Sequence, residues 1–238
     1  MFHNTWMPVV VLSKEAFNWK SFAWRMVEAQ HIASTMKIVD NADEQDLLEL
    51  LLEDSKPAQP EKAENLHYLL VTPFRYNPFR GGSRFRSDTD EGVFYGAESV
   101  HTASAELGYW RWRFLNDAVD LDKINPVAHT AFKVEINTLA VDLRKTPFNE
   151  DVNLWTHPTD YSAIQKFASA ARSAEIGAIL YKSVRDIRGS WCVALLTPSA
   201  FAQREPESET QTWWLAVYKH QVIWRRDQES ITFETDKW

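Results

Sequence analysis

Five polar side chains within residues 68–114 are of the types that bind and cleave nucleotides. They are Arg75, Tyr76, Arg84, Tyr95 and Glu106. Two arginines together can hold a diphosphate through bidentate hydrogen bonds, and a tyrosine ring can stack on a planar base. A carboxylate can orient a ribose hydroxyl or stabilise the charge of an oxocarbenium ion. These residue types therefore point to breakage of an N-glycosidic bond in a nucleotide.

The first three of these side chains are expected to lie at the ends of local elements. The apolar residues 69–71 stop before a proline, which is typical of a short strand. Arg75 and Tyr76 would then follow the end of that strand. A Gly-Gly pair at residues 81–82 permits a sharp turn just before Arg84.

The other two side chains belong to a strand and a helix that follow the turn. A second strand is predicted over residues 92–96, with Tyr95 near its end. Residues 102–114 are rich in helix-forming and aromatic residues, so they predict a helix that carries Glu106. The spacing from Tyr95 to Glu106 is enough to leave the strand, cap the helix and complete about two turns. A strand end and an inward helix face are therefore expected to meet at one site.

Composition excludes several classes of protein. The 238 residues suffice for one large domain rather than two, and they can bury a sizeable core. The net charge of −7 argues against a nucleic-acid binder, because phosphate neutralisation needs a basic surface. No segment has the roughly 18 apolar residues of a membrane span, so we expect a soluble, cytoplasmic protein without membrane contact.

Cysteine and histidine usage argues against a disulfide framework and a metal site. Cys192 is the single cysteine and lies in an apolar run, so a buried structural thiol is favoured over a nucleophile. The seven histidines show no close pairing with one another. We therefore expect no bound metal. The glycine patterns of dinucleotide-binding folds and P-loops are also missing.

The N-terminal part is predicted to be a helical extension, residues 1–60, packed on a catalytic domain of residues 61–238. Residues 14–30 have a helical pattern, and Asn41 or Asp43 is expected to cap a second helix. That second helix contains five leucines, Leu47, Leu48, Leu50, Leu51 and Leu52. Burying each leucine contributes about 1.5–3 kcal/mol, so we expect the helix to dock on its own domain.

The rest of the chain is predicted to be mainly strands with one embedded helix. Paired strands over residues 131–136 and 139–143 would be joined by a tight turn at residues 137–138. A helix is expected from Thr159 or Asp160 to about Glu175. Five further strands are predicted, over residues 178–181, 191–196, 213–218, 222–225 and 231–233. The order of elements favours an α+β fold with a mixed β core.

Four segments of the chain resemble the RES domain family, named for an arginine, a glutamate and a serine. They are PFRYNPFRGGSRF, GVFYGAES, TASAELGYWR and GAILYKSVRD, within residues 66–198. The segments EAQH, STMKIVD and EQDLLELLLE resemble the longer members. The resemblance implies an ADP-ribosyltransferase-like fold and NAD as substrate. Family members degrade NAD, some by phosphorolysis to ADP-ribose 1″-phosphate and nicotinamide, and commonly act as toxins restrained by an Xre-type antitoxin.

The resemblance also implies a role for each matching residue. Arg75 matches the family arginine, Glu106 the glutamate and Ser183 the serine, so these three are the expected catalytic residues. Tyr76, Arg84 and Tyr95 fall on further motif positions and, with Arg75 and Ser183, are the expected NAD-binding residues. The GGSRF segment at residues 81–85 departs from the G-G-R-W-N pattern of many shorter members, and the departure concerns the phosphate contact expected of Arg84.

Several alternatives stay open at the level of sequence. The acceptor of ADP-ribose could be phosphate as co-substrate, water or a protein side chain, the last making the chain an ADP-ribosyltransferase. A non-catalytic interaction module is a third class, and a homo-oligomer is also open. No tightly bound cofactor is expected. Glu106 could also be an ordinary surface residue paired with Arg111 or Arg113, and Ser183 could simply end a strand.

Overall fold

Strands and helices alternate irregularly along the computed structural model, which describes residues 9–29, 39–76 and 82–238. The strands are β1 Phe17–Glu28, β2 Phe94–Ala97, β3 Lys123–Asp142, β4 Ala178–Lys182, β5 Trp191–Leu195, β6 Gln211–Tyr218, β7 Gln221–Arg226 and β8 Glu229–Glu234. The helices are α1 Val9–Glu15, α2 Ala42–Asp54, α3 Tyr68–Arg75, α4 Val100–Asp117, α5 Val152–Trp155 and α6 Ser162–Ser173. None of these helices is long and apolar enough to cross a membrane. The α+β class predicted from the sequence is confirmed.

All of these strands belong to one mixed sheet with the order β1-β2-β5-β4-β3-β6-β7-β8. The β3–β4 pair is parallel and the other pairs are antiparallel. Because β1 also pairs with β3, the strands β1, β2, β5, β4 and β3 close into a ring. Strands β6 to β8 extend the sheet from the first half of β3.

The two faces of the sheet pack into two apolar clusters. Successive residues of β5 point to opposite faces, so Cys192 belongs to one cluster and Val193 to the other. The first cluster packs against α4 and α6, and the second packs against α3. The first cluster lies beside the functional site, because α4 carries Glu106.

The helix predicted over residues 14–30 is wrong, because residues 17–28 form strand β1. Each residue of β1 pairs with one residue of β3, from Phe17 opposite Ala140 to Glu28 opposite His129. Residues 1–8 and 30–38 lie outside the described part of the chain. The N-terminal part is thus not an all-helical extension, since β1 is one of the strands that close the ring.

The strand predicted at residues 69–71 is also wrong, because these residues belong to helix α3. The His67 side chain caps this helix by accepting a hydrogen bond from Leu69 N at 3.3 Å. Leu70, Val71 and Phe74 are buried, which is the spacing of a helix face rather than of a strand. The short apolar run was consistent with either element, and burial of this face decided the outcome.

The turn predicted at residues 137–138 is absent, and residues 123–142 form one strand, β3. Asn137 and Thr138 pair with Lys20 and Trp19 within the β1–β3 ladder. The pair lacks a glycine that would favour the positive φ angles of a two-residue hairpin turn. The extended conformation is therefore retained, and β1 provides the hydrogen-bonding partner.

Helix α2 forms as predicted, but most of its leucines are exposed. Asn41 caps it by accepting a hydrogen bond from Glu44 N at 2.9 Å. Leu47, Leu50, Leu51 and Leu52 are 56%, 67%, 56% and 43% exposed, respectively. The predicted docking of this apolar face on its own domain is therefore wrong for these four side chains.

The remaining predicted elements are found close to their expected bounds. Helix α4 begins after Ser99, whose hydroxyl accepts a hydrogen bond from Thr102 N. Helix α6 buries the predicted apolar side, and strands β2 and β4 to β8 match the predicted segments. Gly82 has a φ of 67°, as the predicted turn before Arg84 requires, and Gly81 lies outside the described residues.

Candidate functional site

Glu106 and Ser183 form the centre of the candidate site. Glu106 lies on α4, and Ser183 follows the end of β4. The hydroxyl of Ser183 donates to Glu106 Oε1 at 2.6 Å, and the amide of Val184 donates to the same oxygen at 3.2 Å. In the described part of the chain, no hydrogen bond to Oε2 is present. One carboxylate oxygen is thus fixed by the protein, and the other can interact with a ligand.

Ser183 orients Glu106 and does not line the cavity. The side chain is buried, and its Oγ also accepts hydrogen bonds from the amides of Arg185 at 3.3 Å and Asp186 at 3.0 Å. A single hydroxyl therefore connects the carboxylate to the backbone of the loop that follows β4. We name residues 183–188 the site loop.

Asp186 fixes the far end of the site loop. Its carboxylate accepts hydrogen bonds from Thr102 Oγ1 at 2.9 Å and from Arg188 Nη2 at 2.9 Å. Burial raises the pKa of Asp186, but the hydrogen bonds and charge of Arg188 and the hydrogen bond of Thr102 outweigh burial and lower the pKa to about 2. The carboxylate is therefore ionised at neutral pH and ties the loop to the first turn of α4.

A cavity of about 300 Å³ opens beside Glu106. It is lined by Arg25, Arg84 and Arg185, by the aromatic residues Trp24, Tyr95, Trp110, Tyr161 and Tyr181, and by Ser83, Glu106 and Cys192, among other residues. Glu106 is the only carboxylate among the lining residues. A protein with a net charge of −7 thus presents a locally positive cavity, which suits an anionic ligand.

Arg25 reaches this cavity from strand β1. Its Nη1 donates to the carbonyl of Tyr95 at 2.9 Å, and its buried Nε has no hydrogen-bond partner among the described residues. Burial lowers the pKa of Arg25 to about 10, so the guanidinium remains charged at neutral pH. A buried N–H without a partner is costly, and an acceptor on a ligand would satisfy it.

Arg84 and Tyr95, two of the predicted site residues, line the cavity. Arg84 Nη1 donates to the carbonyls of Trp155 at 3.0 Å and His157 at 2.9 Å. The guanidinium lies over the ring of Tyr161, 4.6 Å from its centroid. Arg84 is therefore held by backbone carbonyls and an aromatic ring. Its other N–H groups make no hydrogen bond to the described residues, so they can bind a ligand.

The hydroxyl of Tyr95 holds the turn that carries Arg84. It accepts a hydrogen bond from Phe85 N at 3.1 Å and lies 2.7 Å from Ser83 Oγ. Burial raises the pKa of Tyr95, so the hydroxyl is neutral at physiological pH. The ring of Tyr95 is part of the cavity wall, and its hydroxyl holds Ser83 and Phe85 in place on either side of Arg84.

Arg75 and Tyr76 are not among the residues that line the cavity. Arg75 ends helix α3, and its Nε donates to the carbonyl of Pro57. Tyr76 is 40% exposed, and its carbonyl accepts a hydrogen bond from Arg86 Nη2 at 2.7 Å. Because α3 replaces the predicted strand, the structure brings together four of the six predicted site residues and leaves these two elsewhere.

Cys192 faces Glu106 but is unsuited to nucleophilic attack. The thiol is buried, with Sγ 3.9 Å from Glu106 Oε1. Burial raises the pKa of Cys192 well above its usual range, and the negative charge of Glu106 raises it further. The thiol is therefore protonated at neutral pH. No group of three or more histidine, cysteine or carboxylate side chains within the described ranges could hold a metal ion.

Sequence reasoning missed Arg25 and Arg185. Arg25 was assigned to a helix, and only its register on a strand shows that it reaches the same cavity as Glu106. Arg185 lies in the segment GAILYKSVRD, two residues after Ser183, so that motif contained the available signal. Its guanidinium lies 3.4 Å from the centroid of the Tyr109 ring and donates to the carbonyl of Pro158.

The arrangement combines an anchored carboxylate with three cationic groups and aromatic walls. Such a site can bind a ligand that carries phosphate groups and planar rings. The carboxylate can then stabilise positive charge that develops on a sugar ring. Glycosidic bond cleavage in a nucleotide fits this set of groups.

One solved structure with partial similarity to this chain is the M. tuberculosis MbcT–MbcA toxin–antitoxin complex. The TM-score is 0.47 and the sequence identity is 13%, and the alignment covers 97% of this chain and 94% of that chain. No curated protein sequence gives a significant match. Residues 59–217 match the model of the RES domain. The chain therefore belongs to the RES domain family.

Proposed function

We propose that this chain is a toxin-type enzyme that consumes NAD by cleaving the nicotinamide N-glycosidic bond. The observation that carries the proposal is the geometry of Glu106, whose Oε1 is fixed by Ser183 and Val184 beside a cavity lined by three arginines. Membership of the RES domain family supports the same substrate, given the resemblance to NAD-degrading toxins. The phosphate groups and two planar rings of NAD match the charge and the aromatic walls of the cavity.

The proposed chemistry begins with loss of nicotinamide. The bond between the ribose anomeric carbon and the ring nitrogen breaks, and both electrons stay with the neutral nicotinamide. Positive charge then spreads over the ribose, where Glu106 Oε2 can stabilise it or hold a ribose hydroxyl. An acceptor oxygen forms the new bond to the anomeric carbon. An ionised phosphate oxygen has no proton to lose, whereas water or a hydroxyl group releases its proton to solvent.

We favour phosphate as acceptor, which yields ADP-ribose 1″-phosphate, with water as the second choice. The local positive charge from Arg25, Arg84 and Arg185 supports an anionic acceptor beside the diphosphate of the substrate. Transfer to a protein side chain would make the chain an ADP-ribosyltransferase, and product analysis separates these outcomes. No tightly bound cofactor is part of this proposal.

The proposed setting is the cytoplasm, where NAD is abundant, with an Xre-type antitoxin as the cognate partner. The resemblance to toxins that are held in check by such proteins supports this partner. A homo-oligomer is compatible with the proposal. The test of NAD cleavage does not depend on the antitoxin or on the oligomeric state.

The direct test is incubation of the purified protein with NAD, with and without phosphate, followed by identification of products by mass spectrometry. We expect nicotinamide and ADP-ribose 1″-phosphate in the sample with phosphate. Without phosphate, water is the only acceptor, so we expect slower release of nicotinamide together with free ADP-ribose. The Glu106→Gln variant keeps the shape of the side chain but removes its charge, so turnover should fall by about 10²–10³-fold. Asp117→Asn is the matched control, since Asp117 lies on the same helix with its carboxylate 71% exposed.

The outcomes separate the candidates. Free ADP-ribose in both samples would indicate hydrolysis, and ADP-ribose attached to protein would indicate a transferase. Full turnover by a folded Glu106→Gln variant would contradict the role of the carboxylate. If NAD stayed intact with the unmodified protein in every sample, the proposed enzymatic activity would be refuted, and an interaction module would be favoured.

A further inference from the structure

The chain beyond the RES domain match packs behind the site loop. The match ends at residue 217, whereas β7, β8 and the residues that follow them reach Trp238. This segment, residues 218–238, contacts α4 and the site loop. We infer that it positions the site loop, and that Trp238 is the positioning residue.

Trp238 makes a direct hydrogen bond to the site loop. Its indole Nε1 donates to the carbonyl of Arg185 at 2.9 Å. Its ring stacks on Phe233 with centroids 5.7 Å apart, and it meets the ring of Tyr109 edge-on at 5.8 Å. The indole is thus fixed on two sides by aromatic rings, so the direction of its N–H is fixed as well.

Arg185 transmits this contact to the cavity. Its carbonyl accepts the hydrogen bond of Trp238, its amide donates to Ser183 Oγ, and its guanidinium lines the cavity. Tyr109 contacts both partners, because the Arg185 guanidinium lies over one face of the ring that Trp238 meets. A displacement of Trp238 would therefore shift the backbone between Glu106 and a cavity arginine.

Two further contacts fasten residues 218–238 to helix α4. Trp112 Nε1 on α4 donates to the carbonyl of Lys219 at 2.9 Å. The same carbonyl accepts a hydrogen bond from Thr235 Oγ1 at 2.9 Å, which is a contact within residues 218–238. A Cβ atom at Gly108 would lie 3.0 Å from Val222 and 3.5 Å from Trp238, so a glycine there permits the close approach. Gly108 lies two positions after Glu106, and the segment therefore packs directly behind the candidate catalytic carboxylate.

The charged and titratable groups near Trp238 do not explain its contact with the site loop. Arg188 pairs with Asp186, and the His101 ring lies 4.9 Å from the Phe233 ring. Burial lowers the pKa of His101, so this histidine is neutral at physiological pH. Among the described residues, the Trp238 side chain makes aromatic contacts and one hydrogen bond, to the Arg185 carbonyl, and its backbone amide donates to the Thr235 carbonyl at 3.3 Å.

The test compares Trp238→Phe and Trp238→Ala with the unmodified protein. Phenylalanine keeps most of the ring packing but removes the N–H donor, which leaves the Arg185 carbonyl without this hydrogen bond. Loss of one such bond should speed hydrogen exchange of the amides at residues 184–186 about three- to tenfold. Trp214→Ala is the control, because this tryptophan is 51% exposed on β6 and should leave the exchange unchanged.

The kinetic readout rests on the proposed function. Because Arg185 lines the cavity and is expected to bind substrate, the KM for NAD should rise about three- to tenfold in Trp238→Phe, with a smaller fall in kcat. Faster exchange with an unchanged KM would overturn the positioning role. Unchanged exchange at residues 184–186 in a folded Trp238→Phe variant would overturn the inference as well.

The two readouts also separate this inference from the proposed function. If the unmodified protein does not cleave NAD, the proposed function fails, and hydrogen exchange alone decides whether Trp238 holds the site loop. If Trp238→Ala does not fold, Trp238→Phe decides the outcome.

Discussion

Replacement of Ser183 by alanine tests the link between the site loop and the carboxylate. The hydroxyl makes three hydrogen bonds, one to Glu106 and two from the amides of Arg185 and Asp186. The bond to a charged carboxylate is worth about 1.5–3 kcal/mol, and each buried amide left without a partner costs about 1–3 kcal/mol. Because local relaxation recovers part of this, we expect the free energy of unfolding to fall by about 2–4 kcal/mol.

The same substitution should lower activity by a smaller factor than removal of the carboxylate charge. Without Ser183 Oγ, Glu106 keeps its charge but loses one of the two groups that fix its orientation. If the orienting bond contributes about 1.5–3 kcal/mol in the transition state, kcat should fall about 10–100-fold. Chemical denaturation and NAD turnover, measured well below the midpoint of thermal unfolding, give the two numbers separately.

A matched control and a clear contrary result make the test decisive. Ser173→Ala removes an exposed hydroxyl whose one hydrogen bond to a described residue lies within α6. It should therefore change the free energy of unfolding by less than about 0.5 kcal/mol. If Ser183→Ala retained both full stability and full turnover, the orienting role of Ser183 would be refuted. A complete loss of activity in a stable variant would indicate that Ser183 itself contacts the reacting atoms.

Three other predictions concern stability. The pKa of Asp186 falls from 3.8 to about 2 on folding, so the ionised carboxylate contributes about 2 kcal/mol to the free energy of unfolding. This contribution is complete above pH 4 and disappears as the pH falls through 2. The Asp186→Asn variant should lack this part of the decrease in stability when it is denatured at low pH. Deletion of residues 1–60 should leave a fragment that does not fold, because it removes β1 from the sheet, and a soluble, heat-stable fragment would contradict this. Leu50→Glu should change the free energy of unfolding by less than about 0.5 kcal/mol, because Leu50 is 67% exposed. Leu70→Ala, at a fully buried position, should lower the free energy of unfolding by about 2–5 kcal/mol.

Local patterns were sufficient where an element carries its own signals. Helix α4 has a serine cap and helix-forming residues, and α6 shows a regular apolar side, so both were predicted correctly. Strands β4 to β8 are short, rich in β-branched or aromatic residues, and separated by turns or loops. Each of these elements depends mainly on residues within its own segment.

The failures occur where distant partners decide the structure. Residues 17–28 contain aromatic and charged residues that fit either a helix or a strand, and the β3 ladder selects the strand. The same ladder extends β3 through residues 137–138, where a turn was predicted. No pattern within either segment contains information about this long-range pairing.

The candidate site also contains residues that local patterns predict and residues whose position depends on long-range pairing. Glu106 and Ser183 were found through short motifs, and the structure brings them into contact. Arg25 was missed because its place beside Glu106 depends on β1 joining the sheet. Arg75 lies elsewhere because it ends a helix instead of following a strand, and a short apolar run does not distinguish the two elements.

The long separation between β1 and β3 along the chain has a consequence for how the protein folds during synthesis. Residues 17–28 pair with residues 129–140, and the ring closes only once β4 and β5, which ends at Leu195, have been made. Such non-local pairing slows folding, because the loop must close before any contact stabilises it. At about 5–20 residues per second, β1 waits for about ten seconds or longer after it leaves the ribosome. During that interval the ring of strands is incomplete, and the cavity that Arg25 and Glu106 share does not yet exist.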